Sequence, residues 1–169
     1  MRATKSGALL AILVALSAAA AAVRAGEGPE HFGAGELRAS LSWDGILAME
    51  TGIYKFGASA GVHVVRSLEL GLEQQFIVPP ATGAESRSWA YARLVPFRDW
   101  PLSPFVSPRI GTYRRDQSWA AALGIGAGAV MFVSDHLAFE VSLYTQWVLR
   151  PQAGPERQLE FDWRLVLFY

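Results

Sequence analysis

The chain has 169 residues, with fifteen basic side chains, fifteen acidic ones and no cysteine. The length is enough for one domain, and the balanced charge gives no reason to expect a nucleic-acid partner. The lack of cysteine excludes a lipid-modified cysteine, a disulfide framework and a Cys-ligated metal site, and no residue pattern implies a cofactor or another metal.

The first 25 residues have the pattern of a secretory signal peptide. Arg2 and Lys5 precede an apolar run over 8–23, and small residues lead to a cleavage site after Ala25. The run is shorter than the roughly 20 residues of a membrane-spanning helix, although an uncleaved anchor is an alternative. We expect a signal peptide at 1–25, a mobile periplasmic segment at 26–34 and one barrel domain at 35–169.

After this leader, apolar and polar residues alternate almost to the last residue. The period of two predicts eight strands, at 35–43, 54–64, 68–76, 88–96, 105–113, 119–132, 137–147 and 158–169. Their lengths fit the roughly 9–11 residues of a strand that crosses a bilayer at a tilt. Since only helices and closed barrels span membranes, the pattern predicts an all-β fold: an eight-stranded antiparallel transmembrane barrel in up-and-down order.

The sixth strand predicts which face of the sheet points inward. Gly124, Gly126 and Gly128 alternate with apolar residues, and a narrow lumen needs small residues to make room for long side chains from opposite strands. The residues predicted to face lipid are then Leu37, Leu41, Leu68, Leu70, Leu72, Ile110, Phe139, Val141 and Leu143.

The same register places charged side chains in the lumen. They are five basic and five acidic residues: Arg38, Lys55, Arg93, Arg109, Arg164, Glu69, Glu73, Glu140, Glu160 and Asp162. We interpret them as a structural network of ion pairs that fills the lumen, because isolated buried charges are costly. A gated ion or water path is the functional alternative. Arg93 also fits a register in which Trp89, Tyr91 and Arg93 all point outward.

Aromatic residues are predicted to form two belts, one at each membrane interface. One belt is predicted from Trp43, Tyr54, Phe76, Trp89, Tyr113, Trp119, Trp147 and Phe161. The other is predicted from Phe97, Trp100, Phe105, Phe132, Phe168 and Tyr169.

The last strand has the clearest register. One face carries Phe161, Trp163, Leu165, Leu167 and Tyr169, preceded by Leu159, and the other carries Glu160, Asp162 and Arg164. A shift by one residue would place the charged face in lipid, where an arginine alone costs about 2–4 kcal/mol at the bilayer midplane.

Four segments resemble the small outer-membrane β-barrel family that contains OmpX-like proteins and the membrane domain of OmpA: 104–113, 124–132, 135–144 and 161–169. The resemblance implies that the C-terminal strand is an insertion signal for the barrel-assembly machinery, although Tyr169 stands where that family usually has Phe. It also implies a monomer in the outer membrane of a Gram-negative bacterium, in contact with lipid and lipopolysaccharide.

The remaining chemistry is sparse. His63 is predicted to point inward beside Glu69, as a structural pair more often than as a catalytic one. Ser134, Asp135 and His136 are adjacent in sequence, which cannot generally produce triad geometry. Lipid A deacylases, barrels of similar size, carry a His and a Ser two residues apart on a late strand, and 143–147 has neither.

The predicted function is therefore a structural or envelope-maintaining barrel with a closed, charge-filled lumen and no enzymatic activity. Alternatives are a surface-binding barrel acting through the loops 44–53, 77–87, 114–118 and 148–157, a narrow solute channel, and, less favoured, a lipid A-modifying enzyme. A soluble barrel of lipocalin type is the alternative fold, and it requires large apolar residues inside and charges outside.

Overall fold

The computed structural model of the protein describes residues 31–43, 52–80, 83–115, 118–150 and 154–169. The predicted signal peptide, residues 26–30 and most of the first loop lie outside these ranges. Eight strands form: β1 (Leu37–Trp43), β2 (Tyr54–Val65), β3 (Leu68–Val78), β4 (Glu85–Leu94), β5 (Ser103–Arg115), β6 (Ser118–Phe132), β7 (Leu137–Arg150) and β8 (Gly154–Phe168). No helix in the described ranges is long and apolar enough to span a membrane.

The strands form a closed antiparallel barrel in chain order. Each strand pairs with the next, and β8 pairs with β1. The predicted eight-stranded meander is confirmed. We name the end that holds the β2–β3, β4–β5 and β6–β7 turns the terminal rim, because β1 starts and β8 ends there. The opposite end is the loop rim.

The register of the ladders gives the tilt of the strands. The stagger is found by starting at Arg38 on β1 and moving to the paired residue on each next strand, which leads to Gln158 on β8. In the β8–β1 ladder, however, the partner of Arg38 is Phe168. The sheet therefore closes with a stagger of ten residues, from 158 to 168. With spacings of about 3.3 Å along a strand and about 4.8 Å between strands, this stagger means a tilt of about 40°.

Side chains alternate between the lumen and the outer surface, as the sequence pattern predicts. Leu72 on β3 is 68% exposed, whereas its neighbour Glu73 is 5% exposed. The predicted lipid-facing residues all lie on the outer surface, and Leu68 and Val141 are half-buried there. This arrangement is the reverse of a lipocalin-type barrel.

Three of the predicted loops are shorter than expected, because the strands continue into them. β3 extends to Val78 and β4 begins at Glu85, which leaves 79–84 of the predicted loop 77–87. Parts of 114–118 and 148–157 likewise belong to β5, β6, β7 and β8. The polar residues at these strand ends suggested loops, but they continue the ladders, with Glu85 and Arg87 inward and Arg114 and Arg157 outward.

The predicted aromatic belts are partly wrong. Trp89, Tyr113, Phe105 and Phe168 are buried inside the barrel, and Phe132 is half-buried against the buried cluster. The other predicted belt residues are exposed: Trp43, Tyr54, Phe76, Trp119, Trp147 and Phe161 on the loop side, and Phe97, Trp100 and Tyr169 at the terminal rim. The alternation of each strand, and not height alone, decides which aromatic rings reach lipid.

The inward glycines accommodate large side chains, but from neighbouring strands instead of opposite ones. Gly126 pairs with Tyr144, and a Cβ added there would overlap the Tyr144 ring. Gly111 similarly lies beside Trp89, and Gly128 pairs with Phe105. Each ring covers the glycine across the ladder, an arrangement that also stabilises strands weakened by glycine.

Candidate functional site

The lumen of the barrel holds the ten charged residues that the sequence analysis assigned to it. Nine are buried and Glu160 is partly buried. Arg93 is 1% exposed, so the structure has it inside, together with Trp89 and Tyr91. The sequence analysis missed Glu85 and Arg87, which are buried at the loop end of β4. Among the described residues the lumen network therefore has these six basic and six acidic side chains, and the half-buried Arg115 at the loop rim adds an ion pair to Glu85.

Glu140 on β7 is the centre of the network near the terminal rim. The guanidinium of Arg93 binds it in a fork, with Nη1 2.9 Å from Oε2 and Nη2 3.0 Å from Oε1. Arg38 donates a further short hydrogen bond to Oε2, and Arg164 Nε lies 3.8 Å from Oε1. Three arginines from three strands thus surround one carboxylate that is fully buried.

Glu69 completes this part of the network. It lies 3.4 Å from Arg38 and 3.5 Å from Arg93, and it accepts a 2.6 Å hydrogen bond from the hydroxyl of Tyr91. Arg38 and Arg93 are therefore each shared between Glu69 and Glu140. Charged hydrogen bonds of this kind are stronger than neutral ones, and sharing couples the pairs to one another.

Glu160 on β8 is the corresponding centre toward the loop rim. It is paired with Lys55 and Arg87, and its Oε2 accepts a 3.0 Å hydrogen bond from Arg109. Arg164 joins the two halves, since its guanidinium donates to Glu73 at 2.6 Å and also to Asp162. The ion pairs form one connected network from Arg38 to Glu85.

Aromatic rings line the space around the arginines. The Arg109 guanidinium lies 3.8 Å from the centroid of the Tyr144 ring and 4.3 Å from that of Trp89. Arg93 lies 4.3 Å from the centroid of Phe105. Ring faces attract cations, and the attraction is stronger where water is excluded. The inward rings therefore both fill the lumen and stabilise its charges.

A second layer closes the terminal end of the lumen, and we name it the terminal seal. It consists of buried apolar side chains and Phe132, which packs against them: Phe32, Val95, Phe105, Phe132, Val130, Ala138, Val166 and Phe168. Phe32 belongs to the segment before β1 and is 1% exposed. The backbone carbonyl of Phe32 accepts a 2.9 Å hydrogen bond from the N–H of Ser67, and the N–H of Phe32 donates to the Glu36 carboxylate at 2.6 Å.

The described part of the leading segment, residues 31–34, packs against the terminal seal. The His31 ring stacks on Phe132 with centroids 3.7 Å apart. Gly35, in the left-handed region with φ 89°, donates its N–H to the carbonyl of His63 at 2.7 Å. The run of glycines suggested flexibility, but Gly35 supplies a turn that places Phe32 in the barrel mouth.

The three histidines all lie toward the terminal end of the barrel. His63 is buried opposite Glu69 in the ladder, with Nδ1 3.6 Å from Glu36, and His31 lies 3.5 Å from the same carboxylate. His136 is exposed in the β6–β7 turn beside Asp135. The described residues include no group of three or more His, Cys, Asp or Glu side chains that is able to hold a metal ion.

The residues of the predicted C-terminal signal project from the outer face of β8 and its end: Phe161, Trp163, Leu165, Leu167 and Tyr169. The backbone N–H and carbonyl of Tyr169 pair with Leu37 at 2.9 Å, which closes the barrel at the terminal rim. The strand that the resemblance identifies as an insertion signal is thus also the closing strand.

Comparison with known proteins supports the fold. The N-terminal β-barrel domain of Pseudomonas aeruginosa OprF is similar with a TM-score of 0.64 at 15% identity, covering 81% of this chain and 99% of that chain. Neisserial surface protein A (NspA) gives a TM-score of 0.58 at 12% identity, covering 79% and 94%. No sequence-family model and no curated protein sequence matches. The predicted resemblance to small OmpA- and OmpX-like outer-membrane barrels is confirmed at the level of the fold.

Proposed function

We propose that the protein is a structural barrel of the Gram-negative outer membrane whose lumen does not conduct solutes. The observation that carries this proposal is the pairing of an apolar outer surface with a network of ion pairs inside. A soluble protein has no reason to expose Leu41 and Leu72 while burying Glu140 and Arg164. The leader sequence supports export to the envelope.

Two features of the lumen support closure. An eight-stranded barrel has an interior just wide enough for side chains. The terminal seal occupies one end, and the twelve charged groups occupy the space from there toward the loop rim. A second apolar cluster, formed by Trp89, Tyr113, Ala122 and Val148, fills part of the loop side.

We further propose that the loop rim faces the exterior and that the terminal rim faces the periplasm. Both ends of the barrel lie at the terminal rim, two of its three turns (66–67 and 133–136) are short, and the longest connection, 44–53, is at the loop rim. Short periplasmic turns and longer external loops are the rule for outer-membrane barrels. β8 is then the strand recognised by the assembly machinery, and the barrel is a monomer surrounded by lipid and lipopolysaccharide.

The deacylase alternative has little support in the geometry. Along 143–147 of β7, Leu143, Thr145 and Trp147 point outward, and Tyr144 and Gln146 point into the lumen. The outward side chains of this stretch offer no base to activate a nucleophile. We therefore propose that the barrel has no acyl-hydrolase activity. Release of acyl chains from lipid A by the purified protein would contradict this.

Two experiments test the proposal. Heat-modifiable gel migration of protein extracted from outer membranes tests the location and the barrel together. Conductance in planar bilayers tests closure, and we expect no stable conducting level for the wild type. A reproducible single-channel level would show that the lumen is a channel, and recovery of the protein from the cytosol in soluble form would contradict the location.

A further inference from the structure

A group of four polar side chains lies on the outer face of β3, β4 and β5. Gln74 alternates with the inward residues Glu73 and Gln75, so it points outward, where it is half-buried. Its ladder partner Ser88 is exposed, and so is Thr112, the partner of Ser88 on β5. We name this group the polar inlet, and its members are Gln74, Ser86, Ser88 and Thr112.

The polar inlet reaches from the loop rim down into the apolar band. Gln74, Ser88 and Thr112 lie on one line of paired residues, which rises by about 3 Å per strand at this tilt. Thr112 is therefore about 6 Å above Gln74, and Arg114, the last outward residue of β5, is about 5 Å higher still. Five other strands present exposed apolar side chains within about 2 Å of the height of Gln74: Trp43, Phe56, Ile110, Ile125 and Phe161.

The hydrogen bonds inside the polar inlet use only part of its capacity. Ser88 Oγ donates to Gln74 Oε1 at 2.6 Å. Gln74 Nε2 donates to Ser86 Oγ at 3.4 Å and to the backbone carbonyl of Gln75 at 3.2 Å. A hydroxyl group has one hydrogen and two lone pairs. Ser86 therefore keeps its own hydrogen as a donor, Ser88 keeps its lone pairs as acceptors, and the exposed Thr112 hydroxyl offers both.

The depth of the polar inlet limits the groups that can meet it. Hydrocarbon offers no hydrogen bond, so unused polar groups within the apolar band are costly. Headgroups begin at the top of that band, whereas Gln74 and Ser88 lie below it. The part of a lipid at this depth is the beginning of its acyl chains. A hydroxyl group on such a chain both donates and accepts, as the inlet does, whereas an ester carbonyl only accepts.

From this arrangement we propose that the polar inlet binds a hydroxyl group carried by an acyl chain of the surrounding lipid. The inference rests on the proposed function, because it requires the barrel to be in a bilayer. Access from β2 is open, since the ladder partner of Gln74 on that strand is the small residue Ala58. The inlet thereby distinguishes lipids by their acyl chains, independently of their headgroups.

Lipid preference of the full chain in detergent micelles tests the proposal. Native mass spectrometry gives the affinities for two lipid A preparations with the same phosphates and chain lengths, one with hydroxylated acyl chains and one without those hydroxyl groups. We expect the wild type to prefer the hydroxylated lipid by about fivefold, the effect of one net hydrogen bond. Gln74→Leu combined with Ser88→Ala should bind both lipids equally, because the deeper half of the inlet is removed.

Thr145→Val is the matched control, and it should keep the preference of the wild type. Thr145 is an outward, half-buried residue of β7 within about 3 Å of the height of Gln74, on the far side of β5 and β6 from the inlet. Because the two lipids share their phosphates, contacts with headgroups cancel in the ratio of affinities.

Three results would overturn the proposal: equal binding of both lipids by the wild type, an unchanged preference in the double variant, or an equal loss of preference in Thr145→Val. Dimers of barrels without any lipid preference would assign the inlet to a second copy and overturn it as well. Heat-modifiability of each variant is measured in parallel. A wild type that migrates as a barrel but shows no preference contradicts this inference alone, whereas a wild type that forms no barrel contradicts the proposed function.

Discussion

The terminal seal and the ion network fill neighbouring parts of one lumen by different means. In the seal, Phe32, Phe105 and Phe168 bury apolar area, and each contact stabilises by itself. In the network, Glu140 is shared by Arg38, Arg93 and Arg164, so its removal leaves three cations with fewer partners. The first arrangement is local, whereas the second depends on a complete set of charges.

This difference predicts how substitutions will act. A buried ion pair contributes little compared with an apolar pair of the same shape, but breaking it leaves an uncompensated charge. Deletion of an apolar side chain instead costs in proportion to the area and the cavity involved. The network is therefore expected to be more sensitive to single changes than the seal, and less sensitive to changes made in pairs.

The largest effect is expected for Glu140→Gln, which keeps the shape of the side chain and removes its charge. Arg38, Arg93 and Arg164 lose their common partner, and the free energy of unfolding should fall by about 3–5 kcal/mol. Urea unfolding of the barrel in detergent micelles or vesicles, followed by tryptophan fluorescence, measures the loss.

Glu156→Gln is the matched control for this change. Glu156 is 46% exposed at the loop rim and pairs with Arg150 at 3.0 Å. An exposed pair of this kind contributes less than about 1 kcal/mol. Equal destabilisation by both substitutions would show that the lumen charges are as well solvated as those at the surface.

Phe32→Ala is expected to have a smaller and more local effect. Loss of the buried Phe32 ring should remove about 1.5–3 kcal/mol of the free energy that holds the segment before β1 in the terminal seal. This segment should then detach while the barrel persists. Hydrogen exchange should rise at Gly35 and Ser67, whose amides bond within this region, and remain slow in β7. Equal acceleration of exchange throughout the barrel would mean that the seal is not a separate unit.

Gly126→Ala tests the packing of rings over glycines. The added methyl group would overlap the Tyr144 ring, and overpacking of this kind costs about 1–3 kcal/mol. Ala127→Val is the control on the outer face, and it should be nearly neutral. The near-ultraviolet circular dichroism spectrum of Gly126→Ala should differ from that of the wild type. If both the spectrum and the stability are unchanged, the Tyr144 ring does not lie over Gly126.

The smallest net effect is expected when a pair is removed together. Arg93→Met with Glu140→Leu leaves five basic and five acidic groups, and Arg38 keeps Glu69 as a partner. The unfolding free energy of this double variant should lie within about 1 kcal/mol of that of the wild type, and well above that of Glu140→Leu alone. If the double variant is as unstable as the single one, the cost comes from lost packing and not from unpaired charge.

Much of the barrel was predictable because the alternation of each strand is local information. The register of β8 follows from Glu160, Asp162 and Arg164, since these side chains cannot face lipid cheaply. The same reasoning placed Glu73 inward and Leu72 outward without knowledge of their neighbours.

The remaining features depend on contacts between distant residues. The sequence alone predicts Trp89 at the outer surface. Its inward position opposite Gly111 follows from the β4–β5 register, which a single strand does not show. Phe32 was missed because its segment has no alternation, and its partners Phe132 and Phe168 are about a hundred or more residues away. Glu85 and Arg87 were missed because polar residues next to Pro79 and Gly83 suggested a loop.

The two faces of the sheet can be distinguished directly by their contact with lipid. Two versions of the protein keep a single tryptophan, either Trp89 or Trp163, with the other five of the six replaced by phenylalanine. In vesicles containing lipids brominated on the acyl chains, we expect strong quenching of Trp163, which projects from the outer face of β8, and little quenching of Trp89, which is 2% exposed in the lumen. Equal quenching of both, or stronger quenching of Trp89, would contradict the assignment of the apolar face to lipid and the charged face to the lumen.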